Sequence, residues 1–197
     1  MTDSRADAPS PILVAAARGD LPDWAVASPT RRAHIARVAD LLGDWAESLA
    51  LPAAEQLRWR AVGWLHDALR DAAPDALLAQ VPAGFRDFPA PLLHGPAAAA
   101  RLEGELDGEL LDAIRYHTIG HPALTRVGRA LYLADFLEPG RDFARDWRTE
   151  LRDRMPDDLE RVLVEVVAAR IRHLLDERRP LRPETAAFWT ALVTSRS

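Results

Sequence analysis

Six histidine and aspartate residues occur at wide intervals on segments that otherwise have the pattern of helices. They are His34, the adjacent pair His66 and Asp67, His94, His117 and Asp135. Imidazole nitrogen and carboxylate oxygen together suit iron, manganese or zinc, and both groups are scarce in helix cores. The chain has six histidines, and four of them belong to this set. The pattern predicts a helical metallohydrolase with room for two metal ions.

These six residues come from five predicted segments, as expected of ligands that point inward in a helical bundle. If Asp67 bridges two ions, the other five ligands divide into His34, His66 and Asp135 on one ion and His94 and His117 on the other. Each ion then keeps open positions for water and substrate, which is typical of a catalytic site. A hydroxide between the two ions would be a nucleophile at neutral pH.

The remaining histidines and several tryptophans have simpler interpretations. His121 borders a Gly-Pro turn and His173 lies on a charged helix, so neither is predicted to bind metal. Trp45, Trp59 and Trp64 recur at helical spacing and are predicted to pack in the core rather than to stack on a base.

The elements that position the ligands are predicted to be helices throughout. Ser28 and Pro29 are typical of a helix start, and Glu138-Pro139-Gly140 of a helix end. The apolar spacing predicts helices over 29–50, from Pro52 through the His66–Asp67 pair, near Pro74, and over 97–102, 106–117, 125–137, 156–175 and 183–193. We therefore expect an all-α fold, with a leader or short helix over 1–27 and one helical-bundle domain over 28–197.

Composition limits the classes of function. The chain has 197 residues, 48% hydrophobic and 28% charged, with a net charge of -5 and no cysteine. Duplex nucleic acid is an unexpected partner because no basic block is present, and any metal site must use histidine and carboxylate. The apolar run over 12–17 is too short to span a membrane. We expect a cytoplasmic protein, with the apolar helix over 156–175 available for a homodimer.

Four local phrases carry a resemblance to a known family. They are WLHDALRD at 64–71, LLHGPAAA at 92–99, IRYHTIG at 114–120 and LYLADFLEPGRDF at 131–143. With the order His…His-Asp…His…His…Asp, they resemble the HD-domain phosphohydrolases, and specifically the YqeK-type HD domain. The resemblance implies symmetrical hydrolysis of diadenosine tetraphosphate to two ADP, with iron as the metal. It also implies that the six residues above are the metal ligands.

Two arginines are predicted to bind the phosphates of the substrate. Arg70 follows Asp67 by three residues, on nearly the same face of the predicted helix, and stays protonated at any working pH. We assign Arg70, together with Asp67, to catalysis, and Arg141 to a second phosphate contact. The alternatives are a surface Arg70 paired with Asp71 or Asp75, and a solvent-facing Arg141.

Three further residues are predicted to line the substrate pocket. The Thr118 hydroxyl could bond a phosphate, a ligand or a helix end, and Gly120 could let the backbone approach the substrate. Phe143 and Trp147, which follow Arg141 on a predicted loop, are candidates for stacking on a base.

Three other functions remain open on the sequence alone. The chain could be an HD-type phosphohydrolase of a mononucleotide or of a deoxynucleoside triphosphate. It could also be a helical domain that binds metal or nucleotide without catalysis, or a structural domain with incidental histidines.

Overall fold

The computed structural model describes residues 9–194, and within them the secondary structure is almost entirely helical with no β-sheet. The helices are α1 (Pro11–Ala17), α2 (Pro29–Ser48), α3 (Ala53–Leu65), α4 (Pro74–Leu78), α5 (His94–Arg101), α6 (Gly108–Tyr116), α7 (Arg126–Leu137), α8 (Arg145–Asp153), α9 (Leu159–Asp176) and α10 (Pro183–Thr194). The predicted all-α helical fold is confirmed.

Helix α7 lies at the centre of the bundle. It packs against α2, α3, α6, α8 and α9, and nearly all of its residues are buried. Helices α2 and α3 form an antiparallel pair beside it, in which Gly63 permits a close approach, since a Cβ there would lie 2.6 Å from Ala39 Cα. Trp45 and Trp59 are buried in this core and Trp64 packs against it, which confirms the prediction for the tryptophans.

Most predicted helix boundaries are confirmed to within a few residues. Ser28 accepts a hydrogen bond from the Arg31 amide and so caps α2, as predicted. Helix α3, however, ends at Leu65, one residue before the His66–Asp67 pair. Asp67 and Arg70 therefore lie in the turns after α3, and the prediction that they share a helix face is wrong.

Helix α8 (Arg145–Asp153) is absent from the prediction, which placed Trp147 on a loop. Its sequence, RDWRTELRD, is mostly charged and offers only Trp147 and Leu151 as apolar residues, too few for a recognisable period. Trp147 in fact lies on this helix, with its ring edge-on to Phe136 at 6.0 Å between centroids.

Arg148 of α8 joins this helix to the C-terminal end of α7. Its guanidinium donates to the carbonyl oxygens of Phe136 (2.9 Å), Glu138 (2.5 Å) and Arg141 (2.9 Å), and the side chain is buried. The last carbonyls of a helix lack partners within the helix, so a buried arginine satisfies them here. Burial, and then the charges of Arg141 and Arg152, lower the pKa of Arg148 to about 10, which leaves it protonated at neutral pH.

The predicted N-terminal leader contains helix α1 in its described part. Helix α1 packs against α3 and buries Leu13 and Ala16 in the common core, while residues 1–8 of the predicted leader lie outside the described part. The division of the chain at 27/28 stays a prediction. No helix within 9–194 has the length and apolar character needed to cross a membrane.

The apolar face of α9, offered above to a homodimer, is already buried inside the chain. Val162, Leu163, Val166 and Val167 are shielded from solvent where α9 packs on α7 and α10. Formation of a homodimer therefore stays a prediction, and the apolar face of α9 gives it no support.

Replacing Arg148 with Met should destabilise the protein because three carbonyl oxygens, at the end of α7 and just beyond it, lose their donor. The expected loss in free energy of unfolding is about 2 kcal/mol, measured by urea denaturation monitored by circular dichroism. Arg145→Met is the matched control, since Arg145 lies on the same helix, is exposed and, among residues 9–194, pairs only with Asp142 at the surface. Equal stability of the two variants would show that Arg148 does not anchor α7.

Candidate metal centre

The six predicted ligands come together in one buried cluster. His34 lies in α2, His66 and Asp67 follow α3, His94 begins α5, His117 follows α6, and Asp135 lies in α7. All six are buried, with exposed fractions of 0 to 8%. Side chains that are separated by as many as 101 positions thus meet because five helices converge on one point.

The carboxylate of Asp67 lies at the middle of this cluster. Its Oδ1 is 3.1 Å from His94 Nε2 and 3.4 Å from His117 Nε2. Its Oδ2 is 3.7 Å from both His34 Nε2 and His66 Nε2. The two oxygens therefore face two different pairs of histidines, which is the arrangement that a bridging carboxylate requires.

Each histidine is held by its outer ring nitrogen, Nδ1. In three of them Nδ1 faces the carbonyl oxygen three residues earlier in the chain, at 2.6 Å for His66, 3.0 Å for His94 and 2.8 Å for His117. In His34, Nδ1 faces Glu138 Oε1 at 3.2 Å. An acceptor at Nδ1 keeps the hydrogen there and leaves the Nε2 lone pair free to bind a cation.

The Nε2 atoms of the four histidines face inward, in surroundings that a bound cation would stabilise. The Nε2 atoms of His34 and His66 are buried and have no hydrogen-bond partner in the described residues. His94 Nε2 and His117 Nε2 lie 3.1 Å apart, and with hydrogen on both Nδ1 atoms their lone pairs would repel. Unpaired buried polar atoms are costly, so these residues fit metal binding well.

Geometry divides the ligands into two groups that could each hold an ion. His34, His66 and Asp67 form the first group, which we call position A, and Asp67, His94 and His117 form the second, position B. Asp135 Oδ1 lies 3.1 Å from His34 Nε2 and so adds a carboxylate to position A. The sequence predicted the same two groups, and the binding of an ion by each of them stays a prediction.

Burial and neighbouring groups favour the unprotonated forms of three predicted ligands, Asp67, His66 and His94. Burial raises the pKa of Asp67, but the neighbouring His66, His117 and His94 outweigh this effect and hold its pKa well below the usual range. Burial also lowers the pKa of His66 to about 4 and lowers that of His94. Asp67 is therefore ionised and these imidazoles are neutral at pH 7, the forms that bind metal.

Position A contains further charged groups. Burial lowers the pKa of His34, but the carboxylates of Asp135 and Glu138, which lie 3.1 Å and 3.2 Å from its two ring nitrogens, outweigh burial and raise it. Burial raises the pKa of Asp135, whereas His34 and Arg141 lower it to well below the usual range. Burial likewise raises the pKa of Glu138, and its bonds with His34 and Arg37 bring that pKa down to about 2. Both carboxylates are therefore ionised around His34.

The arginines near the cluster differ in what they already bind. Arg141 donates to Asp135 through Nη2 (2.5 Å) and to the Asp135 carbonyl through Nε (2.9 Å). Arg31 Nη1 donates to Asp67 Oδ2 at 2.8 Å. The Arg70 guanidinium has no hydrogen bond or ion pair with the described residues, although its charge helps to lower the pKa of His94. Among these three, Arg70 is the one free to take a new anion.

Comparison with known proteins decides the family. The model of the HD domain family matches residues 31–140, which include all six ligands. This chain belongs to the HD domain family. The fold agrees, since a crystal structure from Clostridium acetobutylicum, described as a predicted HD superfamily hydrolase involved in NAD metabolism, superposes with a TM-score of 0.75 at 23% identity. That superposition covers 86% of this chain and 92% of the other.

Curated relatives of this HD domain carry one name, bis(5'-nucleosyl)-tetraphosphatase, symmetrical. The Bacillus subtilis protein is 33% identical over 118 residues, which cover 58% of this chain and 62% of the relative. The Halalkalibacterium halodurans protein is 31% identical over 105 residues, covering 52% and 55%. The chain therefore aligns with between half and two thirds of the length of these curated relatives.

The predicted pocket residues of this HD domain lie in three different surroundings. Thr118 Oγ1 is 3.0 Å from His117 Nε2, so its hydroxyl bonds a predicted ligand. Gly120 has a φ of +76° and a Cβ there would collide with the buried Phe188 ring, so packing in the core explains this glycine. Phe143 is 48% exposed, with its ring edge-on to Phe136. The roles of all three toward a substrate stay predictions.

Three residues of the centre were missed by reasoning from the sequence. Glu138 was interpreted only as part of a helix stop, although it is a buried acid within the LYLADFLEPGRDF phrase. Arg31 precedes His34 by three residues on α2, the spacing that would have placed both on one helix face. Arg37, which donates to Glu138 Oε2 at 2.5 Å, carries no local signal that distinguishes it from a surface arginine.

Proposed function

We propose that this HD domain is a metal-dependent phosphohydrolase that cleaves diadenosine tetraphosphate symmetrically to two ADP. The observation that carries the proposal is the Asp67 carboxylate, whose two oxygens face two separate pairs of histidines. A pair of ions on such a carboxylate suits phosphoanhydride hydrolysis. The name shared by the curated relatives supports the choice of substrate.

The residues of positions A and B would hold two ions. When bound, the ions supply the positive charge that activates water and draws electron density from a phosphoryl oxygen. The ligand set contains nitrogen and oxygen and no sulfur, which suits iron, manganese and other transition metals alike. We propose iron, with manganese as the alternative.

In the proposed reaction, the oxygen of water bonds to one of the two central phosphorus atoms. The bond between the attacked phosphorus and the bridging oxygen breaks, its electron pair stays on that oxygen in the departing second ADP, and the proton of the water passes to solvent. This ADP is a good leaving group and needs no side-chain acid. Arg70, which is uncommitted, neutralises the negative charge that develops on the phosphates.

Arg141 would contribute to the same phosphates from the other side of the centre. Its side chain is 35% exposed while bound to Asp135, so part of the side chain remains open to solvent. The exposed ring of Phe143 lies edge-on to the Phe136 ring. The Arg148 guanidinium carbon lies over the Phe143 ring, 4.8 Å from the centroid of that ring. We propose Phe143 as the surface on which an adenine stacks, and Thr118 as a residue of the pocket edge whose backbone is fixed by the packing of Gly120 on Phe188.

A panel of nucleotides tests the proposed substrate. Purified, metal-loaded protein should convert diadenosine tetraphosphate to ADP as the sole product, and should act more slowly on ATP, deoxynucleoside triphosphates and mononucleotides. Chromatography of the reaction mixture identifies the products. Formation of ATP and AMP, or preference for a nucleoside triphosphate, would favour another HD-type phosphohydrolase. Turnover of none of these compounds would favour a binding domain.

Replacing Arg70 with Ala tests the proposed phosphate contact. Loss of a charge that acts in the transition state should lower kcat about 100-fold with a smaller change in KM. The control is Arg172→Ala, since Arg172 is an exposed residue of α9. Steady-state kinetics on diadenosine tetraphosphate provide the measurement, and an unchanged kcat would remove Arg70 from the reaction.

A further inference from the structure

The four imidazoles of the centre are not anchored in the same way. Three of them donate from Nδ1 to carbonyl oxygens of their own segments, and those carbonyls lie at or beside helix ends, where helical partners are missing. His34 instead lies inside α2, where the carbonyls of the preceding turn accept helical bonds. A side chain from elsewhere must therefore hold His34, and this side chain is Glu138.

Glu138 is itself fixed in place. Its side chain is 2% exposed, and Oε2 accepts hydrogen bonds from Arg37 Nε at 2.5 Å and from the Gly140 amide at 2.8 Å. This leaves Oε1 for His34 Nδ1 at 3.2 Å. The Arg37 guanidinium lies so close to Gly140 that a Cβ there would collide with it. The carboxylate is thus oriented by a cation and a backbone amide toward one imidazole.

The consequence is confined to one of the two positions. His34 Nε2 faces Asp135 Oδ1 at 3.1 Å and Asp67 Oδ2 at 3.7 Å, all in position A. The histidines of position B, His94 and His117, are held by backbone carbonyls and do not contact Glu138. A carboxylate on the far nitrogen of a ligand histidine fixes the ring and increases its basicity.

We infer that Glu138, oriented by Arg37, is a positioning residue that sets the metal affinity of position A and leaves position B unaffected. The inference rests on the two-metal centre of the proposed function and is independent of the substrate. It makes the two positions chemically distinct: one histidine of position A depends on a side chain that can be replaced, whereas both histidines of position B depend on the backbone.

Metal binding without substrate tests this inference. Metal-free protein is titrated with Co²⁺ by isothermal calorimetry and by the visible absorption of the bound ion, in the wild type and in Glu138→Gln. The variant should lose about 10- to 100-fold in affinity at one position, with an altered absorption spectrum for that ion, and keep the affinity of the other. Arg37→Met should change the same position in the same direction.

Glu160→Gln is the matched control, since Glu160 is an exposed acid paired with Arg129 at the surface, and it should bind Co²⁺ as the wild type does. Equal weakening of both positions in Glu138→Gln, or no weakening, would overturn the inference, as would a wild type that binds a single ion. Thermal unfolding of each metal-free variant separates a general loss of stability from a loss of one position. Absence of dinucleotide hydrolysis would contradict the proposed substrate and leave this result standing.

Discussion

The structure depends on one arrangement: a buried, ionised carboxylate, that of Asp67, toward which four imidazoles direct their Nε2 atoms. Asp67 is 3% exposed. The Nε2 atoms of His34 and His66 beside it are buried and have no hydrogen-bond partner in the described residues. Such a cluster is unfavourable in a protein interior unless a cation joins it. The surrounding helices supply the stability that holds these groups together, since an extensive apolar core encloses the site.

Helix ends do much of the positioning. His66 and Asp67 follow α3, His94 begins α5 and His117 follows α6, so unpaired carbonyls are available to fix the rings. The C-terminal end of α7 is held differently, because Arg148 of α8 donates to carbonyl oxygens there, and Glu138, which directly follows α7, contacts His34. The site therefore combines ligands fixed by local backbone geometry with ligands that need contacts made far along the chain.

This difference explains what the sequence could predict. Helices with a regular apolar period, such as α2 and α7, were predicted almost to the residue, and the ligand types indicated two metal positions before any geometry was available. Helix α8 was missed because its sequence is mostly charged, and the contact of Glu138 with His34 was missed because it spans 104 positions. Long-range side-chain contacts leave no local pattern, so the positioning residues appeared only in three dimensions.

The most direct test of the account is the metal content of the wild type and of Asp67→Asn after anaerobic loading with iron or manganese, measured by mass spectrometry. Because Asp67 belongs to both positions, the account predicts about two ions per wild-type chain and loss of both in the variant, with unchanged helical circular dichroism. A wild type that retains no metal, or an Asp67→Asn variant that retains two ions, would contradict the claim that this carboxylate joins two metal ions.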